Sequence, residues 1–191
     1  IILIIADRYE MLAPASVALT LRIPIAHIEG GDISEGAIDD AVRNALTKMS
    51  HLHFTPTHEA SRRVISMGEE SWRVVRSGAP SLDHLRRSEL PSKTELEKSL
   101  GYSLDYPVCV ISHHPVTLEE DTTVDLEPLL EALESWNGSF VFCFPNADVG
   151  YSQIIKRVLF FCSDKPNATL HTNLNHLTYW SLLKQSALLI G

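Results

Sequence analysis

The sequence predicts an α/β fold of parallel sheets arranged as two domains, and three observations lead there. Short apolar, often β-branched runs alternate with helix-period segments along all 191 residues. That alternation implies parallel strands with helices covering both faces of each sheet. Several of the runs stop at polar residues, as strands do where they open onto a ligand crevice. One stretch, Leu85 to Tyr106, breaks the pattern with Arg, Ser, Glu and Lys around Pro91, just ahead of Pro107. We read domains over 1–90 and 106–191, with 91–105 as the linker between them.

The opening run Ile1-Ile2-Leu3-Ile4-Ile5-Ala6 predicts a strand over 1–6, closed by Asp7 before a helix near 9–20. Ile23-Pro24-Ile25-Ala26-His27-Ile28 predicts a strand over 23–28 that halts at Glu29-Gly30-Gly31-Asp32. The next helix, over 36–49, has the clearest period: Ile38, Ala41, Val42, Ala45, Leu46 and Met49 share one face. Strands over 51–55 and 72–76 alternate with helices over 58–67 and 80–87, and a helix near 92–100 falls within the expected linker. Farther on, strands are expected over 107–112, 139–144, 168–171 and 187–190, and helices over 127–136, 149–162 and 175–186. The chain opens inside a strand without Met and closes at another strand end, which reads as an interior portion of a longer protein.

Composition narrows the function classes. An apolar share of 45% supports substantial cores. A net charge of -8, with Arg62-Arg63 and Arg86-Arg87 as exposed helix-side pairs, lacks the clustered basic face that nucleic acid requires. No apolar run approaches the roughly 20 residues of a membrane span. The three cysteines, Cys109, Cys143 and Cys162, lie among apolar neighbours and outside any CxxC spacing, as reduced thiols of a cytoplasmic protein do. There is no GxGxxG, no GxxxxGK[ST] and no GxSxG, so a dinucleotide, a P-loop and a hydrolase nucleophile elbow are all disfavoured.

The strand-end residues remain, each with an ordinary structural explanation beside the functional one. Asp7 suits a helix cap, but Arg8 beside it has a planar fork able to hold phosphate. Glu29 is a poor cap residue, and the following Gly-Gly would let the backbone approach a ligand closely. Asp39 and Asp40 suit a helix amino end, where each contributes about 0.3–1 kcal/mol, and Arg43 is spaced to pair with either. His51 and His53 share one strand face but have no third metal ligand nearby in sequence. In the second half, Ile111-Ser112-His113-His114-Pro115-Val116-Thr117 runs from a strand into a loop, leaving His114 at the tip. Phe144-Pro145-Asn146-Ala147-Asp148 repeats that design one unit later.

These segments together resemble the UDP-N-acetylglucosamine 2-epimerase family. The resemblance rests on Asp7-Arg8-Tyr9-Glu10, His27-Ile28-Glu29-Gly30-Gly31-Asp32, Ile38-Asp39-Asp40-Ala41-Val42-Arg43, Thr47-Lys48-Met49-Ser50-His51, His114-Pro115-Val116-Thr117 and Phe144-Pro145-Asn146-Ala147-Asp148, in the expected order. It is to the hydrolysing branch, which makes N-acetylmannosamine for sialic-acid-type sugars. The resemblance implies two Rossmann-like parallel-sheet domains of glycosyltransferase-B type, both incomplete in this chain, with the active site in the cleft between them. It implies a UDP-sugar substrate, no cofactor and no metal, no nucleic-acid or membrane partner, a homo-oligomer and a cytoplasmic location.

The reaction it implies removes the C2 proton of UDP-N-acetylglucosamine and expels UDP from C1. Water then adds to the 2-acetamidoglucal. Asp7, Glu29, Asp39 and Asp40 would form the carboxylate cluster, with Glu29 and Asp40 the stronger candidates for proton transfer and a raised pKa expected for a crowded base. Arg8 and His114 would hold the diphosphate or help it leave, Asn146 would serve the nucleotide, and Arg43 would orient Asp39 or Asp40. Three alternatives stand beside this reading. A non-hydrolysing epimerase typically carries His-Arg-Arg-Glu where this chain has His-Pro-Val-Thr; a glycosyltransferase shares the fold; and a sugar-nucleotide sensor would bind without catalysis.

Overall fold

A computed structural model describes residues 1–35, 37–87, 89–114, 121, 123–143 and 151–191. Pro115 to Thr117 and the 144–148 segment, including Asn146, lie outside the described residues. The chain folds as two units, Ile1–Asp83 and His84–Gly191.

In the first unit, strands β1 (Ile2–Ile5), β2 (Ile25–Ile28), β3 (Leu52–Thr55) and β4 (Val74–Arg76) form a parallel sheet in sequence order. Helices α1 (Leu12–Thr20), α2 (Asp39–Met49) and α3 (His58–Ser66) make the crossovers. When strands are added in one direction, right-handed crossovers all return on the same side. Accordingly Ile4 and Ile25 pack with Ala15, Ala18, Val42 and Leu46, and Thr55 on that same sheet face bonds Ser61 of α3 at 2.7 Å. The expectation of helices on both faces fails here. Leu3 (62% exposed), Ile5 (53%) and Val75 (50%) occupy the opposite face, which no helix among the described residues of this unit covers.

The second unit is wound both ways. Its parallel sheet has the order β7 (Ala168–His171), β6 (Ser139–Cys143), β5 (Val108–Ile111), β8 (Leu188–Ile190). Helices α6 (Leu126–Leu133) and α7 (Tyr151–Ser163) cover one face, packing on Cys109, Ile111, Phe140 and Phe142. After β7 the chain crosses beyond β5, so α8 (His176–Gln185) falls on the other face, where Val108, Val110 and Val141 meet Leu182. The short α4 (Asp83–Arg87) opens this unit.

The expected linker over 91–105 is instead part of the second core. It folds as α5 (Lys93–Leu100), started by a Ser92/Glu95 capping box and stopped by Gly101 at φ 63°. Leu96, Leu100 and Leu104 are buried in the cluster of Val108 and Leu182. Leu96 and Leu100, one turn apart, put the apolar side of the helix inward and its charged residues in water, and Leu104 joins them from just beyond the helix end, so the composition shift marks an exposed helix face. No described helix is long and apolar enough to cross a membrane.

Candidate active site

Two left-handed corners shape the carboxyl edge of the first sheet. Ala6 has φ 59° and Glu29 has φ 65°, values that cost a residue with a Cβ about 1–2 kcal/mol. Both corners are pinned by the neighbouring strand: Ala6 N–H donates to Ile28 O at 2.9 Å, and Glu29 N–H donates to Phe54 O at 2.8 Å. Asp7 and Glu29 thus leave adjacent strands at adjacent corners.

Arg43 reaches this edge from α2. Its guanidinium donates from Nη2 to the Asp7 carboxylate in a short ion pair and to Ser34 Oγ at 2.9 Å. Nη1 lies 4.0 Å from Asp40 Oδ1. Arg43 thus pairs chiefly with Asp7 and also lies within ion-pair reach of Asp40, one of its two expected partners. Arg43 is only 6% exposed, and its Nε and Nη1 have no hydrogen-bond partner among the described residues. The buried face of α2 is correspondingly rotated from the purely apolar stripe, with Val42, Arg43, Leu46 and Thr47 inside and Ile38 and Ala41 outside. Apolar periodicity alone does not reveal a buried arginine whose partner comes from another strand.

Asp40 accepts from Asn44 Nδ2 at 3.2 Å and, more weakly, from Ser34 N–H at 3.4 Å. Asp39 sits beside it in the first turn, half-buried. Burial raises the Glu29 pKa, the nearby Asp32 and Asp7 charges add to the rise, and Arg43 opposes it. Asp7, Glu29, Arg43 and Asp40 therefore share one electrostatic neighbourhood. Asp32 joins it as a carboxylate absent from the expected set, although it closes the same acidic turn. Arg8 lies at the margin with Glu10 at 3.3 Å.

The two glycines are closely approached by protein atoms. A Cβ on Gly30 would stand 2.9 Å from His27 Nδ1, and one on Gly31, at φ +83°, would stand 2.3 Å from Ala60 O. Gly31 O also accepts from Arg63 Nη1 at 2.8 Å, so Arg63 is a structural tie and not half of a solvated pair. Beneath the turn, His27 is fully buried, with Nε2 2.7 Å from Ala6 O and Nδ1 3.2 Å from Thr47 Oγ1. His53, its neighbour in register, faces the buried Glu69 at 3.3 Å, while His51 Nδ1 accepts from Ile25 N–H at 3.2 Å. No group of three or more potential metal ligands occurs among the described residues. An open cavity of about 420 Å³, lined by Asp32, Ile33, Asp40, Asn44, Arg63, Ser66 and Met67, borders the same turn.

In the second unit the winding reverses between β5 and β8, and crevices at the carboxyl ends of strands at such a switch point are where open α/β sheets bind ligands. β5 is followed there by Ser112, His113 and His114. Ser112 N–H donates to Ile190 O at 2.7 Å, and its hydroxyl lies 3.2 Å from Tyr179 OH. His113 is half-buried with its pKa lowered by that burial, and His114 is exposed at the strand tip.

The chain is similar to known proteins in sequence and in fold. A GDP/UDP-N,N'-diacetylbacillosamine 2-epimerase (hydrolyzing) from Campylobacter jejuni is 36% identical over 193 residues, covering 100% of this chain and 50% of that protein. A UDP-N,N'-diacetylbacillosamine 2-epimerase (hydrolyzing) from Legionella pneumophila is 31% identical over 192 residues, again with 100% and 50% coverage. The structure of an S. aureus MnaA-UDP complex superposes with a TM-score of 0.74 at 16% identity, over 98% of this chain and 50% of that one, and shares the fold. The chain thus spans about half the length of the curated relatives it matches. The UDP-N-acetylglucosamine 2-epimerase family model matches residues 1–191, and this chain belongs to that family.

Proposed function

We propose that the full-length protein is a hydrolysing UDP-sugar 2-epimerase. The observation that carries this reading is the carboxylate cluster at the carboxyl edge of the first sheet: Glu29 held at a left-handed corner, with Asp7 gripped by Arg43 at the adjacent one and Asp40 within ion-pair reach of the same guanidinium. A carboxylate made more basic by burial and like charge is suited to abstract a carbon-bound proton. In this reading Glu29 or Asp40 takes the proton from C2 as the C1–O bond breaks. The C2–H electron pair becomes the C1=C2 double bond, and the C1–O pair leaves on UDP. Asp7, held by Arg43, stabilises positive character on the ring. Water then adds its hydroxyl at C1 and gives its other proton to a second carboxylate, while a carboxylic acid returns a proton to C2 on the face that inverts the centre. Arg8 and His114 hold the diphosphate, and Asn146 serves the nucleotide.

UDP-N-acetylglucosamine is the substrate of this reading, with N-acetylmannosamine as product for sialic-acid-type sugars. The names of both curated relatives favour a second reading, UDP-N,N'-diacetylbacillosamine. The full-length protein, incubated with each UDP-sugar in D₂O, should release UDP and a free 2-epimeric sugar carrying deuterium at C2. The better substrate decides between the two sugars. Protium alone at C2 rejects elimination, a UDP-linked epimer as final product indicates the non-hydrolysing reaction, and a glycosylated acceptor indicates a transferase.

A further inference from the structure

We propose that His27, acting with Thr47, is a positioning residue that sets the direction of Asp7 and Glu29; this inference rests on the function proposed above. The fully buried His27 ring spans from the end of β1 to the last turn of α2. Nε2 lies 2.7 Å from Ala6 O, and Nδ1 lies 3.2 Å from Thr47 Oγ1. Ala6 O is only an acceptor, so Nε2 carries the proton and donates it. Nδ1 is then a lone pair, and the Thr47 hydroxyl donates to it. One tautomer of the neutral ring satisfies both ends.

These contacts close a loop of physical links. Ala6 is the left-handed residue immediately before Asp7, and Asp7 is gripped by Arg43, one helical turn before Thr47. His27 ties Thr47 back to Ala6. The ring therefore fixes the corner that aims Asp7 and the helix that delivers its arginine partner. The same ring lies under Gly30, whose Cβ position is 2.9 Å from Nδ1 and 3.1 Å from Thr47 Oγ1, so the turn carrying Glu29 rests on this pair too. Burial also lowers the His27 pKa, consistent with a ring that stays neutral while it holds the corner.

The loop can be opened at either end in the full-length protein. His27→Gln keeps a donor where Nε2 stands; His27→Asn keeps only a group where Nδ1 stands. Thr47→Val removes the hydroxyl and Thr47→Ser restores it. For UDP release we expect kcat to fall about 10²-fold in His27→Asn, the scale of a displaced reacting group. It should fall about tenfold or less in His27→Gln, with KM shifting less than about threefold in both. Thr47→Val should lower kcat, and Thr47→Ser should recover it at an equal melting temperature. Long-range ¹H–¹⁵N spectra should show Nε2 protonated and Nδ1 bare. A proton on Nδ1, or losses of activity that follow the melting temperature in all four variants, would overturn the proposal. If no UDP-sugar releases UDP, the functional reading fails, and the tautomer still decides whether the clamp exists.

Discussion

Arg43 and Asp7 form a buried ion pair across 36 positions of chain, joining the second helix to the end of the first strand. Their side chains are 7% and 19% exposed, so neither charge is well solvated alone. Arg43→Met should therefore destabilise the fold by about 3–5 kcal/mol, the usual cost of leaving one buried charge without its partner. Asp7→Asn together with Arg43→Met should cost less than the sum of the single changes, because the second removes the charge that the first strands. Urea unfolding of the four proteins measures the coupling. Additive losses would mean that the pair does not act as a unit.

Glu29 should set activity against stability. Its pKa is raised above the ordinary value of 4.5 by burial, then by Asp32 and Asp7. The folded state thus binds this proton more tightly than the unfolded chain does. The carboxyl's stabilising contribution is present below about pH 4.5 and is lost as pH rises through the folded value. Glu29→Gln should accordingly raise the melting temperature at about pH 8 and change it little at about pH 4. In the full-length protein the same substitution should lower kcat by about 10²-fold or more. A melting temperature shifted equally at both pH values would remove the electrostatic cause.

Glycine substitutions should separate crowding from backbone preference. Gly31 and Gly101 both have positive φ, but a Cβ at Gly31 meets Ala60 O at 2.3 Å while one at Gly101 meets nothing within 4 Å. Gly101→Ala should cost about 1 kcal/mol, the scale of a strained helix end. Gly31→Ala should cost more, by about a further 1–3 kcal/mol, as α3 is pushed from the turn. Thermal melts of the two variants test the order, and equal losses would leave the contact with Ala60 without energetic weight.

The uncovered sheet face should be sticky. Leu3, Ile5 and Val75 present a kind of surface that water-soluble parallel sheets normally bury. The 191-residue chain by itself should enhance the fluorescence of a hydrophobic dye, and Leu3→Thr with Ile5→Thr should reduce that enhancement with little change in secondary structure. Unchanged dye binding in the double variant would place the apolar surface elsewhere.

Much of this protein is legible in its sequence because the relevant periods are local. Alternating apolar runs and helical spacings mark the strands and helices, and the acidic residues at strand ends mark the candidate site, since a strand's carboxyl end is visible wherever an apolar run stops. Asp39 and Asp40 are placed at a helix start by the same logic. The 91–105 segment misled as a linker because its charges dominate its composition, while three leucines at four-residue spacing carry its packing. Tertiary structure alone decides what depends on distant chain segments: that Arg43 turns inward to Asp7, that His27 spans Ala6 and Thr47, and that Gly30 and Gly31 are required by neighbouring protein atoms. It also decides which sheet face is covered, because successive right-handed crossovers return to one side unless the strand order reverses. Local spacing determines an element's face, and the path between elements determines what that face meets.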